Sequence, residues 1–268
     1  MRHASLTSGV AAFPLIAGFG LPPLYFVLGL SWLDGHVAAS LPVASLLGAL
    51  GIYATGEATW PRPLGTQREA RLTLRSVADI ASRGLRRLVW VSSAAIGATS
   101  VLFGVVASGP RSVSRVFDLY QAHTVGPFPG WLWTAPILVG TALVVVLLEL
   151  VLRFIAARPA VEDVSEEWDM WLRRRVARRV QRTVQLVLGL TLSGVLGLAG
   201  LAFRWLGLGT GSGAYTNAPT SHEHATAGSA LLAIALAVAV AAAVAAVWPA
   251  HDRAPDPLTA DEPVGTRA

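Results

Sequence analysis

Hydrophobic positions along the chain gather into six stretches, 10–32, 37–54, 88–107, 133–154, 184–206 and 229–247, separated by polar segments. Each is close to the roughly 20 apolar residues that a helix needs to cross a hydrocarbon core of about 30 Å. The first holds Pro14, Gly18, Gly20, Pro22 and Pro23, which predicts a span kinked or broken near its middle. Its alternative is a cleaved signal peptide, but the stretch is long for that role and only Arg2 precedes it. Two polar connections carry helical periodicity of their own. Over 74–87, Leu74, Val77, Ala78, Ala81 and Leu85 share a face, with Ser76 and Asp79 in capping-box spacing. Over 165–182, Trp168, Leu172, Val176 and Val180 mark every fourth position. Both segments are predicted to be amphipathic helices at the membrane interface. The expected fold is all-α: a polytopic membrane helical bundle of about six transmembrane helices forming one domain over 1–249. Residues 250–268, with Pro255, Pro257 and Pro263, form a predicted disordered tail.

Charge orients this bundle. All 21 basic residues are Arg, and 18 lie in the N-terminus, 60–87, 153–182 and the tail, leaving Arg111, Arg115 and Arg204 for the other connections. Positive flanks stay on the cytoplasmic side during insertion, so both termini are expected inside the cell, in a multi-pass protein of the cytoplasmic membrane. The nine Trp residues fall at span ends or in flanking segments, as interfacial indoles do. A net charge of +5 with 53% hydrophobic residues and a mean hydropathy of +0.55 is accounted for by juxtamembrane arginines, so nucleic-acid binding is not expected. Cysteine is absent, which excludes disulfides, thiolate metal ligation and a Cys nucleophile.

Candidate chemistry is sparse. His36, His123, His222, Glu223 and His224 fall in segments predicted to face outward, with Asp34 and Asp118 near the first two. They would make a metal or proton-responsive site if the three loops converged, and are otherwise solvated loop residues. Glu149 is the sole carboxylate within a predicted span, and intramembrane ionisable groups are transport candidates. Arg153, one turn later, offers a structural ion pair instead. The arginines Arg173, Arg174, Arg175, Arg178, Arg179 and Arg182 follow an acidic start at Glu166, Glu167 and Asp169. They are expected to contact anionic lipid or an acidic partner. In the fifth span Gly189, Ser193 and Gly197 make a small-residue ridge that suits close helix packing, a dimer seam or a docking face. No phosphate-binding loop, hydrolase elbow or zincin helix is present, and no His lies within a span to ligate haem. Catalytic residues and cofactors are therefore not expected.

Two short motifs, Leu72-Thr73-Leu74-Arg75-Ser76-Val77-Ala78-Asp79 and Gly126-Pro127-Phe128-Pro129-Gly130, resemble those of a loose group of uncharacterised polytopic membrane proteins of high-GC actinobacteria. That resemblance implies a part in envelope response or export, because such proteins are often encoded near regulators of the GntR type and ABC transporter genes. It transfers no active-site residue. The expected function is an accessory or permease-like subunit, not an enzyme, meeting lipid and an ATPase or other membrane subunit. Alternatives are a small secondary transporter or channel, and a membrane-embedded enzyme with an outer His and carboxylate site.

Overall fold

Apolar side chains fill the core of this bundle and also cover much of its outside, while a set of polar ones turns inward. Val91, Leu102, Val105, Val139, Val146, Leu236 and Val240 are exposed, whereas Ser92, Ser100, Thr134, Thr141, Gln181 and Gln185 are buried. An exposed apolar belt of this kind is tolerated when lipid, not water, surrounds it. The computed structural model describes residues 10–18, 35–60, 76–119, 121–159, 165–210 and 218–248.

Residues 10–18 are helical (α1). They are followed by α2 (Gly35–Ala58), a single turn α3 (Val77–Ile80), α4 (Arg83–Val106), the strands β1 (Val113–Asp118) and β2 (Gln121–Val125), then α5 (Trp131–Ala157), α6 (Glu166–Leu208) and α7 (His222–Val247). Among the described residues, five helices are long and apolar enough to cross a membrane: Ser40–Ala58 within α2, together with α4, α5, α6 and α7. The first expected span lies mostly outside the described residues, as do the tail and the start of the 74–87 segment.

Contacts along the helices fix their relative directions. Val43 meets Gly140, and Glu57 pairs with Arg158, so α2 and α5 run parallel. Arg86 meets Glu149 and Gly104 meets the Trp131 ring, so α4 runs antiparallel to α5. Along α6, Gly189, Ser193 and Gly200 meet Ala242, Ala235 and Gly228 of α7 in turn, an antiparallel seam. A Cβ at Gly200 would stand 3.0 Å from the Gly228 carbonyl oxygen, so the backbones meet where neither residue has a side chain. Ser193 Oγ donates to the Ala235 carbonyl across this seam at 2.8 Å. Polar pairs also join α4 to α6: Gln181 bonds the Ser82 backbone and Gln185 Nε2 donates to Ser92 Oγ at 3.0 Å. The result has two distinct ends, one rich in arginine and one carrying the β-hairpin.

The fold is mostly helical, as expected, with that hairpin as an addition the sequence reading did not include. In the segment 108–130, Val113 pairs with Val125 and Arg115 with His123 in an antiparallel ladder. Val113 and Val125 turn inward, and buried Phe128 sits edge-on between Phe103 of α4 and Phe203 of α6. This aromatic chain anchors the Gly126–Gly130 motif to the helices.

Two helical expectations are corrected. Ser76 N donates to Asp79 Oδ2 at 2.8 Å, the bond that the N3 side chain of a capping box accepts, and Ser76 Oγ also donates to that oxygen at 2.8 Å, but the helix it starts lasts one turn. Extended backbone at Ala81 and Ser82 separates it from α4, so no continuous amphipathic helix covers 74–87. The 165–182 segment, expected as a separate interfacial helix, is the first part of α6, which runs unbroken for 43 residues. At 1.5 Å per residue it spans about 64 Å, roughly twice a hydrocarbon core. Ser165 caps its start by accepting from Trp168 N, with Glu166, Glu167 and Asp169 in the first turn. Gly209, at φ 66°, ends it.

Candidate functional site

The arginine-rich end is where three helix termini meet: the last turns of α2 and α5 and the first turns of α6. A helix ending at α5 leaves carbonyl oxygens without intrahelical donors. Arg173 supplies those donors. Its Nη1 donates to the Ile155 and Ala156 carbonyls at 2.8 and 3.1 Å, and its Nη2 to those of Arg158 and Pro159 at 2.9 and 3.1 Å. Its Nε donates to Asp169 Oδ2 at 2.9 Å, one turn earlier on α6. A cation at the negative end of the α5 dipole is favourable in its own right.

Arg158, just past α5, completes the cluster. Its guanidinium lies 3.6 Å from Glu57 Oε2 and 3.9 Å from Asp169 Oδ1, and 4.4 Å above the Trp60 ring. Burial pulls this guanidinium below its ordinary value. Glu57 raises it again, Arg173 opposes and Asp169 supports. Glu57, Arg158, Asp169 and Arg173 are all buried, with two charges of each sign, so the set is neutral as a whole and ties α2, α5 and α6 together. Sequence reading missed Glu57 and Arg158 because their partners lie about a hundred residues or more apart from Glu57 and on other helices. The only local signal was the Asp169 to Arg173 spacing of one turn.

The six arginines expected as a single lipid or partner surface therefore divide into three groups. Arg173 is inaccessible, with 0% exposure, and is a structural cap, which corrects its assignment as a contact residue. Arg174 donates to the Asp79 carbonyl at 3.0 Å and fastens α3 to α6. Arg175, Arg178, Arg179 and Arg182 line an open cleft of about 430 Å³ that reaches Leu186 and the end of α7 at Ala246.

Glu149 has a different partner from the one its sequence neighbours offered. Arg86 of α4 grips it with both Nε and Nη2, at 2.8 and 2.9 Å. The pair expected with Arg153 is replaced because α4 crosses α5 at that level. The remaining cavity of note, about 180 Å³, is apolar and lies among Pro42, Pro129, Trp133, Ile137, Leu190 and Leu198.

The hairpin end does not assemble the expected metal donors. His123 is buried on β2, with Nε2 3.4 Å from the Thr210 carbonyl oxygen. His222 and Glu223, expected in a loop, occupy the exposed first turn of α7. His224 bonds Ser221 Oγ through Nδ1 at 2.8 Å and stacks on Phe203. The side chain of His36 lies outside the described residues. Among the described residues, no three His, Asp or Glu side chains come together as a metal site.

No protein-family model, curated protein or solved structure matches the chain.

Proposed function

We propose that the chain is a non-enzymatic, multi-pass protein of the cytoplasmic membrane, acting as an accessory or permease-like subunit of an envelope or export system. Its arginine-rich end faces the cytoplasm. The observation that carries this reading is the continuity of α6. Its basic part extends beyond the length a bilayer requires, yet Arg173 and Arg174 fasten it to α5 and α3, so the outward arginines are presented on a rigid arm. A solvated, purely charged face would need no such fastening. The arm meets the anionic cytoplasmic leaflet and the membrane-proximal surface of a partner subunit such as an ATPase.

The transporter alternative draws less support, because Glu149 is held in a two-pronged ion pair. The enzyme alternative draws less support, because among the described residues no three His, Asp or Glu side chains come together. The test uses the natural absence of cysteine. Single cysteines at Leu119, 90% exposed at the hairpin turn, and at Arg179 are treated in intact cells with a membrane-impermeant maleimide. Labelling of Leu119→Cys alone is expected, with Arg179→Cys reacting only after lysis. Labelling of Arg179→Cys in intact cells would reverse the orientation and remove the proposal.

A further inference from the structure

Leu190, Gly194 and Leu198 recur every fourth residue on α6 and, with Val195 beside them, form one wall of the apolar cavity of about 180 Å³. Trp133 and Ile137, one turn apart on α5, supply a second wall, and Pro42 of α2 and Pro129 complete the lining. From Leu190 to Leu198 the helix rises about 12 Å, so this volume spread along it has a cross-section of about 15 Å². Those are the proportions of a single hydrocarbon chain and not of a fused ring system. A Cβ at Gly194 would meet nothing within 4 Å, so the missing side chain keeps the slot open.

One polar group on this slot has no partner. The Nε1–H of Trp133 is shut off from solvent and finds no hydrogen-bond acceptor among the described residues. Buried donors left in that condition are rare in folded proteins. Thr191, the other polar side chain along the slot among the described residues, turns its hydroxyl to the Val187 carbonyl at 2.8 Å. A buried water takes about three polar partners, more than an apolar slot with one free donor supplies. A hydrocarbon chain that ends in one acceptor oxygen meets both demands.

Resting on the membrane reading above, with the hairpin end outward, we propose that this slot binds one acyl chain of an outer-leaflet glycerolipid. Its ester carbonyl accepts from Trp133 Nε1, and its methylenes run past Ile137 and Gly194 toward Leu190. Depth agrees with this assignment. Trp133 stands in the first turn of α5, the level of an interfacial indole beside the lipid ester groups. The slot reaches about 12 Å inward from there, within the roughly 15 Å of one leaflet of a 30 Å hydrocarbon core. The headgroup stays outside, so the linkage of the chain, not the headgroup, sets the preference.

The experiment uses the full-length protein, delipidated in mild detergent, with ester-linked phosphatidylglycerol or its ether-linked analogue added and bound lipid counted by native mass spectrometry. Wild type is expected to retain one lipid and to prefer the ester form about threefold to tenfold, the worth of one hydrogen bond. Trp133→Phe keeps an aromatic ring but loses the N–H, and is expected to bind both forms equally. Gly194→Leu fills the slot and is expected to weaken retention of either form about tenfold or more, which the displacement of two buried methylenes suffices to cause. Gly97→Leu adds the same bulk to open space on α4, outside the slot, and is expected to behave as wild type. Trp133→Phe keeps the test decisive if Gly194→Leu fails to fold. Equal retention by Gly194→Leu and wild type would overturn the site. Equal retention of the ester and ether forms by wild type would take the carbonyl away from Trp133 and overturn the assignment. Displacement of the lipid by an equal concentration of an isoprenoid quinone would give the slot to a ring and overturn the acyl chain. Failure of the wild type to insert into vesicles would instead defeat the membrane reading on which the proposal rests.

Discussion

Replacing Arg173 with Leu removes a guanidinium that makes five hydrogen bonds, four to carbonyl oxygens around the end of α5 and one to Asp169. Leucine fills much of the space but donates nothing, so those carbonyls lose the guanidinium's donors and buried Asp169 loses its 2.9 Å partner, while Arg158 stays 3.9 Å away. Removing one member of a buried ion pair costs about 3–5 kcal/mol, because the remaining charge is stranded. Each hydrogen bond to a charged group contributes about 1.5–3 kcal/mol in isolation, but the five share one side chain and do not add. The expected loss is therefore about 3–5 kcal/mol, a large part of the roughly 5–15 kcal/mol that typical folded domains possess. Trp60 against Arg158, and Trp168 and Trp171 on α6, report on this region, so denaturant titration in detergent micelles followed by tryptophan fluorescence measures it. Arg174→Leu is the matched control: it loses a single exposed hydrogen bond to Asp79 and is expected to cost under about 1 kcal/mol. Asp169→Leu/Arg173→Leu, which strands neither member of the pair, is expected to be less destabilised than Arg173→Leu alone. Similar small losses for Arg173→Leu and Arg174→Leu would refute the buried cap and return Arg173 to the surface.

Glu149→Gln and Arg86→Gln are each expected to cost about 0.5–1 kcal/mol, with the double variant no worse than either, since the pair is partly exposed. A proteoliposome flux abolished by Glu149→Gln alone would show that this carboxylate carries protons or ions. Gly228→Val places a Cβ 2.6 Å from the Gly200 carbonyl oxygen and is expected to cost 2 kcal/mol or more, about the middle of the overpacking range. Gly194→Ala enters open space and is expected to be neutral or to stabilise by up to about 1 kcal/mol through helix propensity; the same denaturant assay reads both. The backbone and hydroxyl hydrogen bonds from Ser76 hold the Asp79 carboxyl below its ordinary value. A depressed carboxyl contributes stability above its unfolded value, near 3.8, and loses it as pH falls through the lower folded value. Hydrogen exchange at α3 is expected to quicken only in that acid range, and Asp79→Asn should remove the transition.

Hydropathy found stretches that lie on the five helices long and apolar enough to cross a membrane among the described residues, because a crossing helix needs a minimum length and an apolar composition. It misplaced helix ends where polarity and conformation part company. At Arg182, Thr183 and Val184 the sequence changes from polar to apolar, yet nothing there breaks a helix: no Gly or Pro intervenes between Ser165 and Gly189. The change of solvent was read as a change of structure, and α6 runs straight through it. At Ala81 and Ser82 the opposite occurred, with helical periodicity continuing across a bend that Gln181, ninety-nine residues away from Ser82, holds in place.

The strands 113–118 and 121–125 went unread because a short hairpin between two apolar spans has little periodicity against its background. Their order depends on Phe128 seated between α4 and α6. Likewise, local spacing could pair Glu149 only with Arg153, and could treat six clustered arginines only as equivalents. Composition and periodicity alone determined the long apolar helices and the concentration of arginine at alternate connections, since these depend on each residue's own transfer free energy. Only tertiary structure decided which arginines are buried caps, which fasten one helix to another and which line a cleft, because burial of a charge depends on partners that folding brings from distant parts of the chain.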